Sequence, residues 1–476
     1  MKNTLTRRSL VASLPLMTAA QTARPNILLM MADNWAWPHC GVGGDAVVKT
    51  PAFDQLAKEG IHFTHAFSPN PSCSPARSWL LTGQETHRLG TAASLNGALS
   101  TAFPTFTRLL EEAGYFVGYT GKGWGPGRPA DGGYTRNPAG NLYPSFEAFL
   151  KERPKDKPFL FWFNSRDPHV PWTEGEKFRA GMDVKKIQVP GHLPDHPAVR
   201  EDIRNYYAEV QNFDVECAGL VGAVDRLGEL DRTMVVMSGD NGWQMPRGLA
   251  ACYDLGVRVP LAIRYPKAYR AGSKHDGFVT LGDLCPTFLE LAGLAIPKQV
   301  TAKSLLKPPQ RDAVFLERER HANVRRGNLA YPVRGVRTRE FLYLRNLEPG
   351  RYPAGDPEYY WSVGEFGDVD ESPSKRLILQ DTGSKYFAMS FGKRPAEELY
   401  DLKSDPWQTR NVAGEARMAK VKAELAGRVD QWMKETADPR AKGATDFWDK
   451  APYTGTKSRQ GAKKNKRAGW VPAAGH

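Results

Sequence analysis

A short apolar run that ends in polar residues recurs through the first 265 residues, and this pattern constrains the fold most. The runs "NILLMM", "GYFVGYT", "PFLFWFN" and "TMVVMSG" have the length and the β-branched or aromatic content of buried strands. "VPLAIRYP" follows soon after the last of them. The polar residues that follow the four runs are Asp33, Asn34, Lys122, His169, Asp240 and Asn241.

Helix-like segments lie between these runs, at residues 51–60, 103–114 and 204–230. Gly60 and Gly114 stand where a helix would end. Alternating strands and helices predict an α/β fold, with a large and mainly parallel sheet between two layers of helices. Ligands of such folds bind beyond the carboxyl ends of the strands. The polar residues at the strand ends should therefore lie along one edge of the sheet.

The sequence pattern changes near residue 310. A catalytic domain is predicted over residues 24–310 and a smaller α+β subdomain over residues 311–440. In the second part, short strand-like runs alternate with charged residues, and a long helix is expected at 416–435. The length of 476 residues agrees with two domains or more.

The first 23 residues have the features of a signal peptide. A basic start with Arg7 and Arg8 leads into a short apolar run and then into small residues, with cleavage expected near Ala20 or Ala23. The paired arginines suit twin-arginine export. The sequence therefore predicts an exported protein, periplasmic or secreted. No other segment is long and apolar enough to cross a membrane.

The net charge of +13 favours an anionic partner such as a sulfated or phosphorylated substrate. Part of the excess lies at the C-terminus, where residues 441–476 are expected to form a basic, flexible tail. Six basic residues and no acidic one occur in 457–467. No zinc-finger spacing or RNA-binding signature accompanies the charge, so a nucleic-acid partner is not expected.

Cysteine usage argues against a disulfide framework. The five cysteines are odd in number and none has CxxC spacing. Four of them are expected to be small core residues. They are Cys40, Cys217, Cys252 and Cys285.

The fifth cysteine lies in the window "PSCSPARSWLLTG", residues 71–83. Pro75 favours the first turn of a helix, which places Cys73 near a helix N-terminus, where backbone N–H groups attract anions. Arg77 adds a planar fork for a tetrahedral oxyanion. The window thus predicts a sulfate or phosphate site beside a reactive side chain. A structural cysteine, or a thiol nucleophile served by a distant histidine, stays open.

The same window resembles the motif of the type I sulfatases, which are formylglycine-dependent and have an alkaline-phosphatase-like fold. The matching residues are Cys73, Pro75, Arg77, Thr82 and Gly83, with Ala76 where the family has serine. The resemblance implies that a separate formylglycine-generating enzyme reads Pro75 and Arg77 and converts Cys73 to formylglycine. The hydrated aldehyde is then the nucleophile and forms a covalent sulfate ester.

Two pairs of strand-end residues match the family's metal ligands. By resemblance, Asp33, Asn34, Asp240, Asn241 and the group at Cys73 hold one metal ion, expected to be Ca²⁺ because the donors are hard oxygens. The commoner family residue at position 34 is aspartate. Asn34 keeps an oxygen but loses a negative charge, so weaker metal binding is expected.

Two further matches concern the sulfate group. Lys122 corresponds to the family's sulfate-binding lysine, and His169 to the histidine that contacts the sulfate or protonates the leaving group. Past "DNG" the family usually has another basic residue, and here that position is Leu249. Arg247 is near but shifted, which raises the question of whether it replaces the missing cation.

Further segments, among them "GKGWGPG" and "YDLGVRVP", resemble the branch that contains heparan N-sulfatase. This branch resemblance implies sulfate removal from a sulfated amino sugar of the N-sulfoglucosamine type. His321 and Arg325 are the expected substrate-binding residues of the second domain, and Glu319 and Arg326 are further candidates for its mouth.

Two other functions remain open at the level of sequence. A phosphonate or phosphodiester hydrolase of the same superfamily would use the same nucleophile and a similar metal site, often with two metals and additional histidines. A non-catalytic binder of sulfated glycans would explain Asn34, Leu249 and the basic tail.

Overall fold

The structure, a computed structural model, describes residues 24–173, 175–358, 364–443 and 445–452. The predicted signal peptide and the basic run at 457–467 lie outside the described residues. Among the described residues, none of the helices has the length and apolar character needed to cross a bilayer.

A large sheet of eight strands forms the centre of residues 24–310 (the catalytic half), in the order β4-β3-β5-β1-β6-β7-β2-β8. Its strands are β1 Asn26–Ala32, β2 Ile61–Phe67, β3 Phe116–Gly121, β4 Asn141–Leu142, β5 Phe159–Asn164, β6 Thr233–Gly239, β7 Leu261–Arg264 and β8 Ser273–Thr280. Every neighbouring pair is parallel except the two that involve β7. The predicted α/β fold with a mainly parallel sheet is confirmed.

Helices cover both faces of this sheet. The α-helices of the described residues are α1 Pro51–Glu59, α2 Cys73–Thr82, α3 Phe106–Glu112, α4 Phe146–Glu152, α5 Pro197–Arg226, α6 Asp254–Val257, α7 Leu284–Leu291, α8 Pro373–Leu379, α9 Lys385–Ser390, α10 Ala419–Glu435 and α11 Phe447–Lys450. Helix α5 begins seven residues before the predicted 204, because Pro197 suits the first helical position and His196 caps the helix by accepting a hydrogen bond from Ala198 N.

The alternation of side chains along β1 shows how the sheet is buried. Leu28 and Met30 join the core on the side of α1 and α5. Leu29 and Met31 join the core on the side of α2, α3 and α7. A strand buried on both faces reads as a continuous apolar run, which is why "NILLMM" shows no polar alternation.

A smaller antiparallel sheet follows in residues 311–452 (the C-terminal region), in the order β12-β11-β10-β9. Its strands are β9 Ala313–Arg318, β10 Val333–Thr338, β11 Phe341–Asn346 and β12 Glu397–Asp401. Helix α10 packs against this sheet, with the ring of Trp432 stacked on that of Phe315 at 5.1 Å. The predicted α+β character of this region is confirmed.

Buried charges join the C-terminal region to the catalytic half. Glu317 of β9 accepts hydrogen bonds from the backbone N–H of Thr86 and from His87 Nδ1, at 2.6 Å each. The carboxylate of Asp254 is held at 2.9 and 2.8 Å by the guanidinium of Arg337. Because each partner is buried or partly buried, the interface depends on charge pairing as well as on apolar packing.

Glu319 belongs to a second buried cluster. Arg334 Nη2 donates to Glu319 Oε1 at 2.7 Å, and Arg440 Nη2 donates to Glu319 Oε2 at 2.7 Å. The expectation that Glu319 lines the substrate mouth is therefore wrong, because both of its carboxylate oxygens are bound inside the C-terminal region.

The first part of the expected flexible tail packs against the catalytic half through Trp448. The side chain of Trp448 on α11 is fully buried, and its indole N–H donates to the carbonyl of Gly90 at 3.0 Å. Burying a whole indole keeps this stretch attached to the catalytic half. All five cysteines are buried and unpaired.

Candidate active site

Four neighbouring strands place a row of polar residues at one edge of the large sheet. In register, Gly121 of β3 lies beside Asn164 of β5, and Asn164 lies beside Met31 of β1. Ala32 of β1 lies beside Gly239 of β6. The residues that directly follow β3, β1 and β6 therefore meet at this edge, as the sequence pattern predicts. They are Lys122, Asp33, Asn34, Asp240 and Asn241.

Cys73 approaches this edge from the start of α2. The helix begins at Cys73, all of its residues are buried, and it ends at Thr82, after which Gly83 adopts a left-handed φ of 62°. Cys73 Sγ lies 3.3 Å from Asp33 Oδ1 and 3.7 Å from Asn34 Oδ1, and Asn241 Nδ2 lies 3.6 Å from it. The predicted position at a helix N-terminus beside the strand-end residues is present in the structure.

The electrostatics of the site act against a thiolate at Cys73. Burial raises the pKa of the thiol, and the negative charge of Asp33 raises it further; Lys122 and Arg77 only partly oppose this. A cysteine nucleophile needs a lowered pKa to be reactive near neutral pH. This environment therefore disfavours the thiol nucleophile left open by the sequence.

Arg77 connects the strand ends. Its Nε donates to Asp240 Oδ2 at 2.8 Å, and its Nη1 donates to the carbonyl of Gly123 at 2.6 Å and to Asn164 Oδ1. Nη2 lies 3.8 Å from Asp33 Oδ1, and it is buried without a hydrogen-bond partner. A fixed guanidinium with one unused nitrogen suits the oxygen of a bound anion.

Lys122 lies against Asp33, the first of the candidate metal ligands. Its Nζ is 2.9 and 2.7 Å from the two carboxylate oxygens of Asp33. Burial would raise the pKa of Asp33, but the charges of Lys122, His169 and Arg77 outweigh it and hold that pKa below its usual range. Burial raises the pKa of Asp240, and the positive charge of Arg77 only partly opposes this.

Asn34 has an unusual backbone conformation that brings its amide to the centre of the site. Its φ is 77°, a value that asparagine adopts more readily than most residues. Its backbone N–H donates to Asp240 Oδ1 at 3.0 Å, and its carbonyl accepts from the hydroxyl of Tyr206 at 3.3 Å. These bonds fix the turn, with Asn34 Oδ1 near Cys73 Sγ.

The donor set fits a hard cation. One ligand atom each from Asp33, Cys73 and Asp240 lies within 4.8 Å of the other two. Asn241 Oδ1 is buried without a hydrogen-bond partner, a costly state that a metal ion would relieve. Carboxylate and amide oxygens are the ligands that Ca²⁺ prefers.

The charge balance of the site suits a divalent cation together with an anionic ligand. Asp33 and Asp240 contribute two negative charges when ionised, and Arg77 and Lys122 contribute two positive ones. A divalent ion would leave a local excess of two positive charges. Such an excess suits a sulfate or phosphate ligand.

His169 and Asp370 form the outer part of the site. His169 Nδ1 donates to the carbonyl of Val170 at 2.8 Å, and its Nε2 lies 3.8 Å from Asp370 Oδ2. That carboxylate oxygen has no hydrogen-bond partner, and burial raises the pKa of Asp370. Sequence reasoning missed Asp370, because nothing in the acidic stretch "GDVDESP" separates it from its neighbours.

His321 reaches the site from the C-terminal region. Its Nδ1 lies 2.8 Å from the hydroxyl of Ser72, the residue before Cys73. Burial lowers the pKa of His321 to about 4, with Arg318 and Lys122 acting in the same direction against Asp368. A neutral imidazole therefore stands beside the start of α2.

Arg325 lies behind His321 and does not extend as a free cation. Its Nη2 donates to Asp368 Oδ2 at 2.7 Å and to the carbonyl of Pro353 at 2.6 Å. Asp368 Oδ1 in turn accepts from the backbone N–H of Ala322 at 2.9 Å. In this arrangement Arg325 supports the loop that carries His321. Arg326, the other candidate, is exposed, and its backbone N–H donates to Asp356.

The two residues past "DNG" lie in the interface with the C-terminal region. The guanidinium of Arg247 lies 3.9 Å from the ring centroid of Tyr253, and it donates to the carbonyl of Met389 at 3.1 Å and to the hydroxyl of Tyr400 at 3.2 Å. Leu249 is buried beside a small cavity of about 30 Å³. Arg247 is thus occupied by partners other than those that surround Cys73.

Sequence comparison relates the chain to sulfatases. The family model "Sulfatase" matches residues 25–294. An ulvan-active sulfatase of Formosa agariphila is 28% identical over 448 residues, which cover 88% of this chain and 82% of the relative. The N-sulphoglucosamine sulphohydrolase of Homo sapiens is 28% identical over 470 residues, covering 88% and 91% of the two chains.

Solved structures share the fold. A structure in complex with its substrate D-glucosamine-2-N,6-O-disulfate aligns with a TM-score of 0.64 and 20% identity, over 89% of this chain and all of the other. The phosphonate monoester hydrolase of Agrobacterium radiobacter aligns with a TM-score of 0.64 and 19% identity, over 87% and 96% of the two chains. At these identities the likeness concerns the fold alone.

Proposed function

Because the chain belongs to the sulfatase family, we propose that it removes sulfate from a sulfated amino sugar of the N-sulfoglucosamine type. The observation that carries the proposal is the buried cluster at the start of α2, where Asp33, Asn34 and Asn241 all lie within 3.7 Å of Cys73 Sγ. Arg77 and Lys122 supply the positive charge for a sulfate group there.

Two groups complete this site in the proposal. A formylglycine hydrate at position 73 supplies the oxygen nucleophile, and Ca²⁺ held by Asp33, Asn34, Asp240 and Asn241 supplies Lewis acidity toward the sulfate oxygens. The raised pKa of the Cys73 thiol supports the modification, since an unmodified side chain would be a poor nucleophile.

The residues of the chain bind and orient the sulfate. Arg77 Nη2, buried and without a partner, donates to one sulfate oxygen. Lys122 Nζ, which is near Asp33 in this structure, binds a second oxygen. Preorganised donors of this kind favour the transition state because charge grows on the transferring group.

His169 and Asp370 act on the leaving group. His169 Nδ1–H is held by the carbonyl of Val170, so the proton available for transfer is on Nε2, the nitrogen that faces Asp370. His169 Nε2 then donates a proton to the departing nitrogen or oxygen, and Asp370 orients the imidazole.

The substrate class has two supports. The related human enzyme is named for N-sulphoglucosamine, and a structural neighbour holds a glucosamine disulfate. In this chain, neutral His321 and the unpaired oxygen of Asp370 offer hydrogen bonds to hydroxyl or amino groups of a sugar. Export of the protein, through the signal-like residues 1–23, is part of the proposal.

The test begins with protein from the native host. The mass of the peptide spanning residues 71–83 should correspond to an aldehyde at position 73 in place of the thiol. Purified protein should release sulfate from N-sulfoglucosamine, and Cys73→Ala should abolish turnover without unfolding the protein. Cys217→Ala, at another buried and unpaired cysteine, is the matched control and should stay active.

The outcomes separate the alternatives. Turnover retained in Cys73→Ala would sink the mechanism. An unmodified Cys73 in protein from the native host, together with glycan binding but no sulfate release, would favour a non-catalytic binder. Faster hydrolysis of a phosphonate monoester than of any sulfate ester would favour a phosphonate hydrolase, whose fold this chain shares.

A further inference from the structure

A second cavity lies away from the residues that surround Cys73. It has a volume of about 350 Å³ and opens between the catalytic half and the C-terminal region. Its walls come from the loop after β1, from residues 188–192, from the segment after β6 and from residues 406–408 after β12. A pocket of this size is large enough for a small ligand.

Polar side chains from several segments line the pocket. Gln188 is exposed at its rim, and Arg258 is partly exposed. The Nη2 of Arg258 donates to the carbonyl of Thr64 at 2.6 Å, which holds the guanidinium in place. A partly exposed cation and an exposed amide can donate hydrogen bonds to a ligand with several oxygen atoms.

The charge on the walls is positive. Among the described residues that line the cavity, Arg247 and Arg258 are cations and Asp254 is the one carboxylate. Arg337 binds both oxygens of this carboxylate, and Asp254 Oδ2 also lies 3.9 Å from Arg258 Nη1. The lining therefore favours a ligand with an acidic group.

Two indole rings complete the lining. Trp37 and Trp407 are both half-buried, and the guanidinium of Arg258 lies over the ring of Trp37 at 5.1 Å. An indole offers a flat apolar face beside a wet opening, and such a face accommodates a sugar ring. Aromatic walls and positive charge occur here in one pocket.

We propose that this pocket binds one acidic sugar unit of a glycan chain, carrying a carboxylate or a sulfate group. The choice of a glycan as ligand rests on the proposed function. The pocket anchors a chain whose sulfated unit is processed elsewhere.

Binding is measured by calorimetry on the full Cys73→Ala protein, with glucuronate, glucose 6-sulfate, glucose and inorganic sulfate as probes. At least one of the two acidic sugars should bind at least about tenfold more tightly than glucose and than inorganic sulfate. The comparison of glucuronate with glucose 6-sulfate distinguishes the two acidic groups. Equal affinity for inorganic sulfate and the acidic sugars would overturn the assignment to a sugar.

Three variants locate the binding. Trp407→Leu removes an indole face and Gln188→Glu places a negative charge at the exposed rim, so each should weaken the acidic sugar at least about tenfold. Tyr386→Leu, a half-buried aromatic residue outside the pocket, is the control and should leave the affinity unchanged. Unchanged affinity in both Trp407→Leu and Gln188→Glu overturns the proposal.

A second readout separates this proposal from the catalytic one. In the background with Cys73 intact, Trp407→Leu should hydrolyse a small aryl sulfate at the parent rate, since that substrate does not reach the pocket. If neither the parent protein nor any variant hydrolyses a sulfate ester, the proposed function fails. The affinity of Trp407→Leu for the acidic sugar still tests whether the pocket binds it.

Discussion

Asp370 Oδ2 lies 3.8 Å from Nε2 of His169 and has no hydrogen-bond partner of its own. If Asp370 orients His169 for proton transfer, Asp370→Asn should lower kcat for a sulfated sugar about 10- to 100-fold, because the leaving group needs a proton. Hydrolysis of an aryl sulfate with a good leaving group should change little. Steady-state kinetics on the two substrates check this.

The neighbouring carboxylate provides the control for that experiment. Glu371→Gln removes a half-exposed charge one residue away and should leave both rates unchanged. Equal loss on the two substrates in Asp370→Asn would contradict the role in protonation and would point to a structural role.

Asn34→Asp should strengthen metal binding. The substitution restores a carboxylate at the position where the family commonly has one, and affinity for Ca²⁺ rises with ligand charge. We expect Ca²⁺ to bind at least about tenfold more tightly, as measured by calcium titration of the melting temperature. Without metal the variant should melt lower than the parent, since three carboxylates would then share the site.

Asn34→Gly is the matched control, because glycine accepts the φ of 77° while losing the ligand oxygen. It should bind Ca²⁺ more weakly than the parent. Identical calcium dependence in all three proteins would remove position 34 from the metal site.

Leu249→Lys should not restore the basic residue that the resemblance leads one to expect. Leu249 lines the small cavity together with Arg247, Arg318 and Arg394, which outnumber the carboxylate of Glu398 there, so a new ammonium group would be buried in a site with an excess of positive charge. The free energy of unfolding should fall by about 3 kcal/mol or more, with no gain in turnover. Urea denaturation and sulfate-release assays test this, with Leu249→Met as the volume-conserving control. Faster turnover in the lysine variant would contradict the placement of Leu249.

Asp368 should contribute stability that depends on pH. Burial raises its pKa, but Arg325 and Arg318 outweigh burial and lower it from 3.8 to about 2. Its contribution is therefore complete above about pH 4 and is lost as the pH falls toward 2. Asp368→Asn should lower the free energy of unfolding by about 3 kcal/mol at pH 7, and the difference should shrink in acid.

Urea denaturation between pH 3 and pH 7 measures the effect. Asp312→Asn changes an exposed carboxylate that contacts Arg428 and should have a small effect at every pH. A difference between Asp368→Asn and the parent that is constant over this range would contradict the lowered pKa.

The sheet and most of its polar edge could be predicted from sequence because both depend on local pattern. Each buried strand shows as an apolar run, and its carboxyl end as a change to polar residues, so Asp33, Lys122 and Asp240 could be assigned to one edge. The direction of β7 could not be predicted. It is a strand of four residues, Leu261–Arg264, and its reversal depends on pairing with β2 and β6, which are distant in sequence.

The C-terminal contribution to the site was predicted less well. His321 is a candidate by resemblance, but the partners of its charged neighbours lie far along the chain. Arg325 is bound by Asp368 and Glu319 by Arg440, and the sequence shows no local signal for either pair. Asp370 was missed for the same reason, since its meeting with His169 is a consequence of tertiary packing.

The charged interface between the two sheets has a consequence for the order of events during synthesis. His87, Asp254 and Arg247 belong to the part of the chain that leaves the ribosome first. Their partners Glu317, Arg337 and the carbonyl of Gln408 emerge much later. Until then the early segment would have to keep these charges in water. We therefore expect the nascent catalytic half to reach its final structure only when β12 and the residues after it have emerged.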